Sequence, residues 1–470
     1  MRIISVMAVA CALWLLPLVG EAQDGFGGAR TNGLVRDQVA AGMVPSMEAF
    51  TVEGMLAEHH FPVQERRCVR SFCVFTAMGH GLHRPTLTRS TYLLVEPVSG
   101  TDPDQLVRAP QNVSLVIDRS GSMTGWKLAA ALRAAHAIVD HLGPGDRLSI
   151  VSFDDVAEVH AASAHVLDRQ ALHRDVDTVV VRGGTNLHAG LVAGFAELAR
   201  HRRPGTADRL FVLTDEQPNV GVTDTESFMA LVGENARRGV GISVIGVGLD
   251  LGADLANAMS RLEGGSYHYL EGPEGVPALF GDGFDAMLTP VAYGLSVTIR
   301  PGPGLRVADI FGVPSDDYVL GSDGSATLRA STVFLDRRRS GAIVRLEPTG
   351  STDAVTRATA HVDSRWVRAS DGTHMRASQE VRYLATEPRA TAEFASPHHY
   401  RAYALANFAQ LLRASLWHWH RGHRTEALRI MTNARRALDA DAKTISDAQL
   451  ARERELADGI LTEMGHGSRG

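Results

Sequence analysis

From Val113 to Ser122 the chain reads VSLVIDRSGS, an apolar run that ends in a polar turn. A short run of this kind is typical of a strand that is buried on both faces of a parallel sheet. A helical period follows over residues 127–142, stops at a Gly-Pro-Gly turn, and leads into a second apolar run at 148–153. The pattern predicts a βαβ unit with Asp118 at the carboxyl end of its first strand.

The same alternation continues to about residue 288. Further strands are predicted at 210–213, 242–247 and 267–270, and further helices at 187–200, 228–238 and 255–262. Because the strands are almost wholly apolar, helices must cover both faces of the sheet they form. The sequence therefore predicts an α/β fold, with a doubly wound, mostly parallel sheet, over residues 111–290.

The rest of the chain divides into five further segments. These are an export signal at 1–22, a flexible lead at 23–50, a β segment at 51–110, an antiparallel β domain at 291–390 and a helical tail at 395–465. The strand-like pieces on either side of the α/β unit can also share one sheet, in which case that unit is an insertion. The length of 470 residues agrees with about three domains.

The first 22 residues show the features of an export signal in the expected order along the chain. Arg2 precedes an apolar run over 3–19, and small residues at Gly20 and Ala22 suit cleavage after Ala22. The alternatives are a retained membrane anchor, against which the shortness of the run and Pro17 count, and a lipid anchor. If the segment is cleaved, the mature chain is expected in the periplasm, the cell envelope or the extracellular space. Membrane contact is expected only if the segment is retained.

Export makes two of the three cysteines interpretable. Cys68 and Cys73 are separated by four residues, and an oxidising compartment favours a disulfide between them. The alternative is a metal site, for which His80 and His83 are the only further ligands nearby.

Composition excludes several classes of protein. A hydrophobic share of 44% and a charged share of 21% are ordinary for a globular chain and exclude wholesale disorder. The net charge is −6, so there is no basic excess to indicate a nucleic-acid partner. Three cysteines are too few for a disulfide scaffold or a four-thiolate zinc site.

Polar side chains gather at one edge of the predicted sheet. Asp118, Ser120 and Ser122 follow the first strand, Asp215 follows a later strand, and Thr185 lies in a glycine-containing loop between them. The carboxyl ends of parallel strands border the ligand crevice of an open α/β sheet. Carboxylate and hydroxyl oxygens are the ligands that hard divalent cations prefer, so a site for Mg²⁺, or for Mn²⁺ or Ca²⁺, is expected there.

These five residues, at this spacing, resemble the metal-ion-dependent adhesion site (MIDAS) of the von Willebrand factor type A (VWA) domain. The resemblance covers about residues 110–290. The stretches at 143–153 and 241–248 are also similar to exported bacterial members and to the A domains of inter-alpha-trypsin inhibitor heavy chains.

The resemblance implies a role for each matched residue. Ser120 and Ser122 coordinate the cation through their hydroxyls, and Thr185 does so when a ligand is bound. Asp118 and Asp215 act mostly through waters and by hydrogen-bonding the serines. A carboxylate from a protein partner then completes the coordination of the cation.

One residue departs from the family pattern. Glu216 stands where the family usually has a glycine, which can relieve backbone crowding. Its added negative charge can weaken the binding of partner carboxylates, tighten the cation, or point into solvent without effect.

The function implied by the resemblance is that of an exported binding protein rather than an enzyme. The alternative is a structural or assembly subunit in which the metal only stabilises the loops. A hydrolase is a minor alternative, because neither Ser120 nor Ser122 sits in a G-x-S-x-G elbow and no histidine is placed by sequence to activate them.

Overall fold

The structure is a computed structural model, and it describes residues 32–47, 49–59, 61–62, 68–101, 108–203, 205–215, 218–248, 255, 258, 262–270, 272–281, 284–335, 341–387 and 390–467. The export signal predicted over 1–22 and the departure at Glu216 lie outside these residues. Across the described residues, no helix is long and apolar enough to cross a membrane.

The strands in chain order are β1 Phe72–His83, β2 Thr88–Ser99, β3 Gln111–Asp118, β4 Arg147–Phe153, β5 Ala157–His165, β6 Ala207–Thr214, β7 Val240–Val247, β8 Gly265–Leu270, β9 Pro290–Pro301, β10 Leu305–Phe311, β11 Tyr318–Leu320, β12 Ala326–Phe334, β13 Ala342–Pro348, β14 Thr359–Arg368, β15 His374–Arg382 and β16 Ala392–Glu393. The helices are α1 Asn32–Ala40, α2 Val52–Ala57, α3 Trp126–His141, α4 Arg169–Asp177, α5 Leu187–Ala199, α6 Thr225–Arg237, α7 Val276–Phe280, α8 Phe284–Met287, α9 Asp353–Thr356, α10 Pro397–His420, α11 Arg424–Ile445 and α12 Ala451–Gly467.

The central sheet confirms the predicted α/β unit and shows that the sheet is mixed. Its six strands lie in the order β5-β4-β3-β6-β7-β8. Five of them are parallel, and β5 pairs antiparallel with β4 at one edge. Sequence reasoning missed β5 because most of its residues are exposed or half-buried, so it has no apolar run.

Helices cover both faces of this sheet. Leu115 and Ile117 of β3 pack in one core with α3, α7 and α8, whereas Val116 packs in a second core with α5 and α6. Alternate residues of a strand point to opposite faces, so both faces of β3 are apolar and all eight of its residues are buried. This central strand carries Asp118 at its carboxyl end.

The flanking β strands form two five-stranded antiparallel sheets, β10-β13-β2-β1-β16 and β11-β12-β9-β14-β15. They share one apolar core, to which Leu93 and Val95 contribute from one sheet and Val297 and Ile299 from the other. Because β13 pairs with β2, strands from both sides of the α/β unit lie in one sheet. The α/β unit is therefore an insertion, and the antiparallel domain extends beyond the predicted 291–390.

The N-terminal flank differs from its prediction. The segment predicted as a flexible lead over 23–50 contains α1, and the predicted β segment over 51–110 begins with α2. Val35, Phe50 and Met55 are buried against the C-terminal helices in a single core. Sequence reasoning missed these helices because they are short and depend on tertiary packing rather than on their own periodicity.

Three helices, α10 to α12, occupy the segment predicted as a helical tail. The structure also pairs Cys68 with Cys73, whose Cα atoms lie 5.8 Å apart. His80 and His83 are hydrogen-bonded elsewhere, to Tyr383 and to Thr86 and Gln410, which argues against a metal site at the cysteines.

A buried carboxylate joins the N-terminal helices to the tail. Glu453 Oε1 lies 2.7 Å from Arg36 Nη2 and 3.2 Å from His59 Nε2. Burial alone would raise the pKa of Glu453, but His59 and the charge of Arg36 outweigh it and hold that pKa below its ordinary value.

We expect Glu453→Gln to destabilise the chain by about 2 kcal/mol at pH 7, because it removes the buried charge that faces both Arg36 and His59 and leaves Arg36 paired with Glu58. Folding lowers the pKa of Glu453. The stability that its negative charge contributes is therefore present above the pKa of Glu453 in the unfolded chain, and it is lost as pH falls through the pKa of Glu453 in the folded chain. Urea unfolding at pH 7 and in acid measures both effects. The control Glu426→Gln removes an exposed pair with Arg429, and its effect on stability should be much smaller because solvent screens that pair. Equal effects of the two variants would contradict the assignment.

Candidate metal centre

Two buried carboxylates lie side by side at the carboxyl edge of the central sheet. Asp118 ends β3 and Asp215 directly follows β6, and these strands pair in parallel as far as Ile117 and Leu213. Both aspartates are fully buried. Two like charges in such a place require cations or hydrogen-bond donors.

Asp118 is held by donors on both oxygens. Its Oδ1 accepts a hydrogen bond from the Ser120 amide at 2.8 Å, and its Oδ2 accepts one from Thr214 Oγ1 at 2.5 Å. Burial raises the pKa of Asp118 from 3.8 to about 6, against the opposing effect of these donors, and the charge of Asp215 adds to the rise. In the metal-free site, the hydrogen-bond donors therefore do not fully compensate the negative charge of the two buried carboxylates.

A chain of hydroxyls connects the serines to Asp215. Ser122 Oγ donates to Asp215 Oδ1 at 2.9 Å, and Ser120 Oγ lies 2.9 Å from Ser122 Oγ. Because Ser122 donates its only hydroxyl proton to Asp215, it can only accept from Ser120, whose side chain also interacts with Asp118. Both serine oxygens keep lone pairs that can bind a cation.

Lys127, in the first turn of α3, supplies a cation that sequence reasoning missed. Its Nζ lies 2.7 Å from Asp215 Oδ2, and its side chain is only 14% exposed. Gly248 makes room for it, since a Cβ there would lie 2.8 Å from Lys127 Cε. The site thus contains one ammonium group for two carboxylates.

Thr185 lies in a loop that is fastened to the serine loop. The Gly121 amide donates to Gly183 O at 3.0 Å. The backbone of Thr185 is fixed by Asn219, whose Oδ1 accepts from the Thr185 amide at 2.8 Å. Thr185 Oγ1 is buried, and it has no hydrogen-bond partner within the part of the chain that the structure describes. Such an orphaned oxygen fits a missing ligand.

An ion cluster around the buried carboxylate of Asp154 supports both loops. Asp154 Oδ2 lies 2.9 Å from Arg119 Nε and 2.7 Å from Arg182 Nε, so it bridges the serine loop to the loop before Thr185. The Asp154 carbonyl also accepts from the Asn186 amide at 2.7 Å. Sequence reasoning missed Asp154, although its position directly after β4 is the signal that singled out Asp118 and Asp215.

The donor set fits a hard divalent cation. It consists of two carboxylates and three hydroxyls, with no imidazole or thiolate among them. No cluster of three His, Cys, Asp or Glu side chains suited to a metal occurs within the described ranges. A cation here would therefore be held largely by the neutral oxygens of Ser120, Ser122 and Thr185.

A family model decides the nature of the central unit. The model of the von Willebrand factor type A domain matches residues 112–271, which span the six-stranded sheet and its helices. Residues 112–271 form a VWA domain. Domains of this family generally bind protein partners, and they often hold a divalent metal at the MIDAS.

Curated relatives are similar to part of this chain. An uncharacterized protein of Synechocystis is 31% identical over 169 residues, which cover 35% of this chain and 39% of that protein. Human inter-alpha-trypsin inhibitor heavy chain H2 is 23% identical over 232 residues, which cover 47% of this chain and 24% of that protein. The match thus spans well under half the length of either relative.

Solved structures with VWA domains are also similar. One is a von Willebrand factor type A structure from Catenulispora acidiphila, with 13% identity, a TM-score of 0.46 and coverage of 78% of this chain and 90% of that chain. Another is proximal thread matrix protein 1 from the mussel byssus, described with a zinc-occupied MIDAS motif. It has 20% identity, a TM-score of 0.34 and coverage of 39% of this chain and 47% of that chain.

Proposed function

We propose that this chain is an exported binding protein whose VWA domain holds Mg²⁺ at Asp118, Ser120, Ser122, Thr185 and Asp215 to bind an acidic group of a protein partner at the cell envelope or surface. One observation carries this proposal: Thr185 Oγ1 is buried without a hydrogen-bond partner among the described residues, in a loop that is hydrogen-bonded to the serine loop through Gly121 and Gly183. The Cys68–Cys73 disulfide agrees with an oxidising compartment outside the cytoplasm.

The chain's own residues would divide the work. Ser120 and Ser122 offer neutral oxygens to the cation, and Asp215 orders them by accepting the proton of Ser122. Asp118 fixes the backbone of the serine loop through the Ser120 amide. Neutral ligands leave the bound cation electron-poor, so it attracts a carboxylate supplied by a partner.

A structural subunit in which the metal only stiffens the loops is the alternative, and a hydrolase is the minor one. The serine protons run toward Asp215 rather than toward a histidine, which favours a ligand role over a nucleophile role for both serines.

Capture of partners from a native envelope fraction separates the first two functions. The binding function predicts capture in Mg²⁺ that is lost in chelator and reduced by excess free glutarate, a competing carboxylate. The structural function predicts that Mg²⁺ raises the melting temperature of the chain while capture is insensitive to both reagents. Capture that is unaffected by chelator, by glutarate and by the Asp118→Asn substitution would refute the binding function.

Thr185→Val is expected to weaken Mg²⁺-dependent capture at least about tenfold without lowering metal-free stability. Valine has a similar shape but no hydroxyl, so the metal-free chain should keep its stability or gain about 1 kcal/mol from losing a buried unpaired group. Urea unfolding in chelator and capture in Mg²⁺ measure the two effects.

The matched control is Thr214→Val, which removes the hydroxyl that donates to Asp118. It should cost about 1–2 kcal/mol of stability in chelator. If Thr185→Val lowered metal-free stability as Thr214→Val does, and left capture intact, the Thr185 hydroxyl would have a structural role only.

A further inference from the structure

A His-x-x-x-Asp pattern occurs on each of two packed helices of the VWA domain. It is His136 and Asp140 on α3, and His173 and Asp177 on α4. Residues four apart lie on one face of a helix, so each pattern presents an imidazole and a carboxylate together. His136 is ten residues along α3 from Trp126, which places it about 15 Å from the start of that helix.

The contacts between the two patterns are reciprocal. His136 Nε2 lies 3.0 Å from Asp177 Oδ1, and His173 Nε2 lies 3.0 Å from Asp140 Oδ1. The two remaining ring nitrogens, both Nδ1, face each other at 2.7 Å. Each imidazole is therefore oriented by a carboxylate from the other helix.

Counting protons shows that this arrangement needs a positive charge. An ionised carboxylate only accepts hydrogen bonds, so both Nε2 atoms must carry their protons. In two neutral rings both Nδ1 atoms then present lone pairs to each other at 2.7 Å. Either one extra proton or a metal cation has to lie between them.

We propose that His136 and His173 bind a divalent transition-metal ion of the Zn²⁺, Cu²⁺ and Ni²⁺ class through their two Nδ1 atoms. Imidazole nitrogen suits these ions, and Zn–N bonds of about 2.0–2.1 Å would place the two nitrogens about 3.3 Å apart. The rings need to separate by only about 0.6 Å from their present positions.

The surroundings of the pair suit such an ion. Asp177 and Asp140 accept the outer N–H groups, the arrangement that orients histidine ligands in metal sites. The side chains of His136 and His173 are 30% and 27% exposed, so an ion can reach them from solvent. Two protein ligands leave the other coordination positions to water. The nitrogen ligands separate this site from the all-oxygen centre at Asp118, which favours Mg²⁺.

Titration calorimetry of the full chain with Zn²⁺, in excess Mg²⁺, tests the proposal. We expect one Zn²⁺ site that disappears in His136→Gln and in His173→Gln, with at least about a hundredfold loss of affinity. Asp177→Asn should weaken it about 10–100-fold by removing the outer partner. Asp118→Asn and the tail variant His423→Gln should leave it unchanged, which excludes binding at the β3–β6 centre and at other histidines.

The three variants at the pair, His136→Gln, His173→Gln and Asp177→Asn, must also keep their metal-free melting temperature and their Mg²⁺ affinity, which shows that they fold. Cu²⁺ electron paramagnetic resonance gives a second measurement, with two nitrogen ligands expected in the unmodified chain and fewer in His173→Gln. Zn²⁺ binding of the same stoichiometry and affinity in both histidine variants would overturn the proposal. Absence of Zn²⁺ binding in the unmodified chain would also overturn it.

Discussion

Asp118→Asn is expected to abolish Mg²⁺ binding while making the metal-free chain more stable. Asparagine keeps the shape of Asp118 but removes a charge from a fully buried position. Because burial raises the pKa of Asp118 from 3.8 to about 6, ionisation at pH 7 opposes folding, and removing it should add on the order of 2 kcal/mol in chelator. Calorimetric titration with Mg²⁺ and urea unfolding in chelator measure the two effects.

The direction of the pH dependence follows from the same shift. The folded chain holds the Asp118 proton more tightly than the unfolded chain does, so this group adds stability below an unfolded pKa near 3.8. That stability is lost as pH rises through about 6. Protons compete with Mg²⁺ for the ionised form, so Mg²⁺ affinity should fall roughly tenfold per pH unit below pH 6. Unchanged Mg²⁺ affinity in Asp118→Asn, or a pH trend of the opposite sign, would contradict this account.

Lys127→Met is expected to destabilise the metal-free chain by about 3 kcal/mol, because Asp215 is fully buried and loses its ammonium partner. The same change should tighten Mg²⁺ binding by about tenfold, since a positive charge that repels the cation is gone. Added Mg²⁺ should therefore recover most of the lost stability. Urea unfolding with and without Mg²⁺ gives both numbers on one sample.

Lys443→Met is the matched control, because Lys443 is exposed on α11. Its effect on stability should stay within about 0.5 kcal/mol, and Mg²⁺ affinity should not change. Weaker Mg²⁺ binding in Lys127→Met would show that Lys127 positions Asp215 for the cation rather than competing with it.

The α/β core could be predicted because its signals are local. The apolar run from Val113 to Ile117 and the helical period after it each indicate by their own pattern which residues are buried, and β3 and α3 form there. The edge strand β5 and the helices α1 and α2 could not be predicted in this way. Val35 and Phe50 are buried in a core that is built largely by the C-terminal helices, so the sequence of their own segment does not indicate that they are buried.

In the candidate site, too, the residues with a local sequence signal were predicted and those that depend on tertiary contacts were not. Asp118 and Asp215 were predicted because each directly follows an apolar strand, and parallel strands bring their carboxyl ends together. Lys127 was missed because its contact with Asp215 depends on how α3 leaves the serine loop, with space provided by Gly248. Asp154 shares the strand-end signal, but its partners Arg119 and Arg182 are set by the loops.

Crystals of the full chain grown with Mn²⁺ test the central claim most directly, because the anomalous scattering of Mn²⁺ locates the ion. We predict a peak at the carboxyl ends of β3 and β6, within about 2.3 Å of Ser120 Oγ and Ser122 Oγ. The result that would contradict the account is no peak there, with Ser120, Ser122 and Asp215 still joined by the hydrogen bonds of the metal-free site.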